Sequence, residues 1–148
     1  MALQSVNTGS ADNDGTGDTV RAAFEKINEN FSSLPFVIGF FAGSTFDGGE
    51  ILFVHTIKED STFTFSESDM SFTLQTPCLA NCSFSILVED VEVGTVDFTA
   101  GGTVGVAVIT GDAFVAALDD VIKLISPDPA DDDAAGLAVT MLGYRTLV

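Results

Sequence analysis

Ser83-Phe84-Ser85-Ile86-Leu87-Val88-Glu89-Asp90-Val91-Glu92-Val93-Gly94-Thr95-Val96-Asp97-Phe98 is the stretch that decides the fold class. Ser83 to Val88 and Glu92 to Phe98 are short, rich in β-branched and aromatic residues, and flank the polar Glu89-Asp90-Val91. That combination predicts a β-hairpin. The same texture extends in both directions. Upstream, Phe36 to Ala42 is a continuous apolar run, and Ile51 to Ile57 alternates loosely. Ser61 to Phe65 and Met70 to Leu74 alternate Phe with Ser and Thr, as half-buried strands do. Downstream, Thr103 to Ile109 follows a Gly101-Gly102 turn, and Val121 to Ile125 and Leu137 to Tyr144 complete the set. Asp112 to Leu118 reads as a short amphipathic helix. Eight or nine short strands with frequent Gly and polar turns predict an antiparallel β-sandwich or jelly-roll-like domain over 35–148. The Phe residues at 63, 65, 72, 84 and 98 fall at even spacing within strands and read as core.

The texture changes near Leu34-Pro35. Asn7 to Asp18 is rich in Gly, Asn, Asp, Ser and Thr and reads as loop. Beyond it Val20, Phe24, Ile27, Phe31 and Leu34 recur at spacings of four and three, an apolar seam on one helix face. Asp18 is the expected N-cap and Pro35 the stop. Residues 1–34 thus form a loop and one helix ahead of the β domain. A helix of about four turns is marginal alone, so the seam needs a partner. Either its own β domain or other chains could serve, and the expectation adopted is that the seam Val20, Phe24, Ile27, Phe31 and Leu34 is an attachment or oligomer interface.

Among 148 residues there are 22 acids, 5 bases and one His, a formal net charge of −17. Five scattered bases disfavour nucleic-acid binding, and anionic membrane surfaces would repel the chain. At 46% apolar it is too hydrophobic for an acidic disordered chain, yet no run approaches the roughly 20 residues of a membrane span. The Met1 to Ser5 start lacks the basic and apolar regions of a secretory signal. Cys78 and Cys82 read first as ordinary thiols beside a loop, with a disulfide across that loop as the alternative. One His cannot complete a zinc site with them.

Chemistry is scarce. His55 sits in a strand and reads as structural, with no nucleophile elbow to go with it. Asp119-Asp120 and Asp131-Asp132-Asp133 read as solvated turns. Ser10 to Arg21 is superficially a calcium loop, with Asp12, Asp14, Gly15 and Asp18 in register. Ser10 stands where an acid should open it, however, and Arg21 replaces the closing Glu. The expectation is no metal, no cofactor and no enzymatic activity. Asp47-Gly48-Gly49 and Pro127 to Asp133, including Asp131, Asp132 and Asp133, are candidate exposed loops.

The residues from Leu3 to Phe31 resemble a segment found at or near the N-termini of tailed-bacteriophage virion proteins. The shared features are Asn13 to Asp18, Val20-Arg21, Phe24, Lys26-Ile27-Asn28 and Asn30-Phe31, with Val20 standing where Leu is usual. Pro35 to Gly43, Ser83 to Ile86 with Val91 to Phe98, and Leu137 to Arg145 resemble a small β domain of phage fibre-type and decoration-type proteins. Glu89-Asp90 replaces the usual Asn-Gly turn there, and Asp112 to Asp120 departs from the pattern. The resemblance implies a non-enzymatic structural role in a virion: a tail or head fibre, a fibre adaptor or a capsid decoration protein. Its partners would be other virion proteins and copies of itself, a trimer first, and a fibre would also meet a host surface glycan or protein. The alternatives are a stand-alone carbohydrate-binding β-sandwich and a carboxylate-dependent depolymerase.

Overall fold

The hairpin at the centre of the chain forms as β4 (Cys82–Val88) and β5 (Val91–Phe98), joined by the two-residue turn Glu89-Asp90. Both turn residues have positive φ, the backbone that a tight hairpin with right-handed twist requires. Asp90 pairs with Lys123, and the Glu89 carboxylate accepts from the Val121 N–H, so the turn is tied to a neighbouring strand. The structure, a computed structural model, describes residues 4–11, 14–32 and 34–146. Leu3, Asp12 and Asn13, used in the sequence readings, lie outside the described residues.

The other elements are α1 (Val20–Ser32), β1 (Pro35–Thr45), β2 (Ile51–Thr56), β3 (Thr62–Thr73), β6 (Val104–Ile109), β7 (Ala113–Ala116), β8 (Val121–Ile125) and β9 (Ala135–Thr146). Every strand pairing is antiparallel, in the order β1-β9-β3-β6-β5-β4-β8-β2, with β7 beside β3. One sheet holds β1, β9, β3 and β7, and the other β2, β8, β4 and β5. β6 bridges them, pairing β3 through Val104 and Gly105 and β5 through its later residues. The sheet curls until its ends meet: Phe36 and Phe40 of β1 pack on His55 and Phe53 of β2, with ring centroids 5.5 and 5.3 Å apart. The result is a mainly β, nearly closed antiparallel sandwich with one helix in front.

The alternation read from sequence sets the core. Phe63, Phe65, Phe72, Phe84 and Phe98 are all buried, with Ile57, Ile86, Ile122, Leu137 and Met141 around them. Each such side chain contributes roughly 1.5–3 kcal/mol of transfer free energy. Two rings lie over glycines of paired strands. A Cβ on Gly143 would come within 2.6 Å of the Phe65 ring, and one on Gly105 within 2.6 Å of Phe98.

Four sequence readings need correction. Asp112 to Leu118 is not helical; Ala113–Ala116 is β7, because Phe114 and Ala116 alternate into the core and stack against β3. Ser61 to Phe65 and Met70 to Leu74 are one strand, β3, with an irregularity between Phe65 and Met70 where extra residues leave the β9 ladder. Cys78 and Cys82 form a disulfide rather than lying as free thiols, their Cα atoms 6.5 Å apart across the Leu79-Ala80-Asn81 loop. The N-cap of α1 is Thr19, not Asp18: the Thr19 Oγ1 accepts from the Ala22 N–H, and its carbonyl from Ala23.

Candidate attachment surface and loop pole

Asp18 is freed from capping for another task. Its carboxylate accepts from the Asn7 N–H and from Lys26 Nζ, both at 2.7–2.8 Å, while the Asp18 N–H returns a bond to the Asn7 carbonyl. Lys26 also reaches the Ser5 carbonyl, and Asn30 holds the Gln4 backbone on both its N–H and its carbonyl. The polar segment before the helix is therefore folded back along α1, laced to Lys26 and Asn30. Asp14 organises the turn itself. One oxygen accepts from Ser10 Oγ and from the Ser10 and Ala11 N–H groups, the other from the Thr16 N–H. These donors, the Ser10 hydroxyl foremost, hold the Asp14 carboxyl well below the usual carboxylate range. In the calcium-loop register Asp14 would be a ligand. Here its oxygens are committed to protein donors, and Arg21 is paired with Glu25. Among the described residues no cluster of three or more His, Cys, Asp or Glu could hold a metal ion.

The seam is left bare by this arrangement. Lys26 and Glu29, on the arm side, lie about a quarter of a turn or more around the helix from the seam, while Asn30 stands at the seam's edge beside Ile27 and Phe31. Val20 is 74% exposed, Phe24 61% and Phe31 64%, with Ile27 and Leu34 also exposed. The helix touches its own β domain only sparsely, against β9. The other alternative left by the sequence is burial of the seam on its own β body; Phe31 and Leu34 border that body, and none of the five residues is buried against it. Ile27, Asn30, Phe31 and Leu34 border an open groove of about 370 Å³. A second groove of about 310 Å³ continues from Phe31 and Leu34 to Phe36, Phe63 and the Arg145–Glu59 ion pair. Arg145 also lies over the Phe63 ring, 5.8 Å from its centroid.

The loops named from sequence gather at the opposite end. β1 begins at Pro35 beside Tyr144 and ends at Thr45 beside Ala135, so its eleven residues put about 35 Å between the helix junction and the loop cluster. There the Asp47-Gly48-Gly49 turn packs on the segment from Pro127 to Ala130, fixed by Ser126, whose Oγ donates to the Asp47 carbonyl and accepts from the Glu50 N–H. Asp131 is not a free loop acid. It accepts the Leu79 and Ala80 N–H groups on one oxygen and those of Asp133 and Ala134 on the other, clamping the disulfide loop to the strand that follows. Burial alone would raise the Asp131 carboxyl, but these four donors outweigh it and hold it below the ordinary range. Asp132 and Asp133 are exposed, as are Asp47, Gly48 and Gly49. A groove of about 370 Å³ runs between the disulfide loop and Pro127 to Asp131, and none of its lining residues is aromatic. Nothing there can stack on a sugar ring.

His55 is half-buried between Phe36 and Phe53, its Nε2 without a hydrogen-bond partner among the described residues. The Asp131 clamp and the Asp18–Lys26 lacing were missed in the sequence. Their signal was only a short acid beside turn residues, a pattern this acidic chain offers many times. No known protein family matches the chain, and no curated protein is significantly similar to it.

Proposed function

We propose that the chain is a non-enzymatic structural protein of a tailed-bacteriophage virion, attached through its N-terminal segment and displaying the β-sandwich as a fibre, fibre adaptor or capsid decoration protein. The observation that carries this reading is the exposed apolar seam at one pole of a sandwich whose loops sit at the other. A side chain such as Phe24 or Phe31 left in water forfeits roughly 1.5–3 kcal/mol that a partner surface would recover. The resemblance of the residues from Leu3 to Phe31 to phage virion segments supports the same assignment. So does the use of Asp14, Asp18 and Asp131 as backbone clamps rather than as paired catalytic carboxylates.

The test is incorporation. A tagged wild-type chain supplied during infection is expected in purified virions, and a Phe24→Glu, Phe31→Glu double variant is expected to be depleted at least tenfold. Equal incorporation of the two would refute attachment through the seam. Copies per particle separate the roles: hundreds for decoration, tens or fewer for a fibre or adaptor.

A further inference from the structure

We infer that the gap between β1 and β2 is a docking site for an extended segment of a different protein, which adds there as a strand and closes the sheet. The site lies on the β body, and the inference does not use the helix seam. β1 and β2 are consecutive in the chain, and residues 46–50 between them make a connection short enough for a hairpin. Phe36 meets His55 and Phe40 meets Phe53, so the two strands run side by side in opposite directions. Yet no ladder joins them. Among the described residues β1 pairs with β9 alone and β2 with β8 alone, which leaves the facing edge of each without a backbone partner. Their Cα atoms stay beyond 8 Å over nearly all of the facing length. Paired strands lie about 4.8 Å apart, so one absent strand would leave roughly twice that spacing.

The composition of the two edges points the same way. Soluble proteins blunt an open edge with charge, above all with Lys. In a chain that is 18% charged, the eleven residues of β1 and the six of β2 include no Lys, Arg, Asp or Glu. Their register irregularities fall at the loop end, between Ala42 and Thr45 and between Ile51 and Phe53, so Phe36 to Ala42 is a regular template. The walls of the gap define the occupant. On the inner face the Phe36–His55 and Phe40–Phe53 contacts already fill the space, so the inward side chains of an added strand must be small. On the outer face Val37, Phe41 and Val54 are more than half exposed, and apolar side chains of the added strand would lie beside them. At the loop end Asp47 and Glu50 favour a basic residue. A second copy, with a net charge of −17, matches that end poorly. The occupant is therefore a segment of about six residues, the length of β2, that alternates small with β-branched side chains and ends in Lys or Arg.

The experiment is amide exchange of the purified full-length chain with a synthetic peptide that alternates valine and alanine and carries lysine at both ends. The peptide is expected to slow exchange roughly tenfold or more at the β1 amides that point away from β9. A peptide with glutamate at both ends is expected to bind roughly tenfold more weakly or worse. The variant Val37→Lys, Phe41→Lys places charge on an exposed edge, so it is expected to keep the thermal transition of the wild type and to lose the peptide effect. No slowing at about 1 mM lysine peptide would overturn the inference. So would slowing confined to α1 or to other strands, equal binding of the two peptides, or binding that survives the two lysines. In the free chain the same β1 amides are expected to exchange fast. Protection that rises with protein concentration would show that a second copy holds the edge, and protection independent of concentration would show that β1 already pairs with β2; either result overturns the inference.

Discussion

Gly143 shows how finely single positions are set. It faces Phe65 on the paired strand, and the ring occupies the space where a side chain would begin. Gly143→Ala forces a methyl to within 2.6 Å of a buried ring, so a loss of about 1–3 kcal/mol is expected in denaturant unfolding. Ala at the exposed Gly39, where a Cβ meets nothing within 4 Å, is the matched control. The short acids work in the opposite sense, by collecting donors. Lys26, then the Asn7 N–H, hold the Asp18 carboxyl below its usual range, as the Ser10 hydroxyl and nearby N–H groups do for Asp14. A carboxyl depressed in the folded state adds stability that is complete above its unfolded value of about 4 and fades as pH falls toward the folded value. The arm is therefore expected to stay laced to the helix from pH 7 to 5 and to loosen below pH 4. Amide exchange of Asn7, Ser10 and Thr16 measures this, and protection that stays flat down to pH 2 would contradict it.

At the scale of elements, α1 is the weak member. It has thirteen residues, sparse contact with the β body and no acid in its first turn, so its start depends on Thr19. Thr19→Ala is expected to cost the helix about 1 kcal/mol. Amide exchange in Ala22 to Phe31 should then accelerate roughly fivefold while β4 and β5 keep their protection. The contrast between α1 and β7 is instructive about periodicity. Val20, Phe24, Ile27 and Phe31, spaced by four and three, admit only a helix, which ends at Ser32 ahead of Leu34. Asp112 to Leu118 is too short for its alternation to be told from a helical turn, and contact with β3 settled it.

For the whole molecule, net charge governs behaviour in salt. Residues 35–148 carry −14, so contact between copies through the seam would bring acidic bodies side by side. Salt shortens the Debye length from about 10 Å at 0.1 M to about 3 Å at 1 M. Any association of copies through the seam is therefore expected to tighten severalfold over that range, as read by sedimentation, and weakening with salt would show that ion pairs rather than apolar contact drive it.

Local pattern alone carried the antiparallel sandwich, the helix with its seam and the buried phenylalanines, because strand alternation and helical spacing are periodic and short-range. The strand order, the bridging role of β6, the Cys78–Cys82 bond and the clamp from Asp131 to the disulfide loop came only with the tertiary structure. The strand pairings and the Asp131 clamp join residues far apart in the chain or choose among many equivalent acids, and the Cys78–Cys82 bond depends on how the loop between them turns, none of which a spacing rule encodes. Whether the seam would turn inward or stay bare was likewise decided by packing, since the sandwich closes its core without the helix.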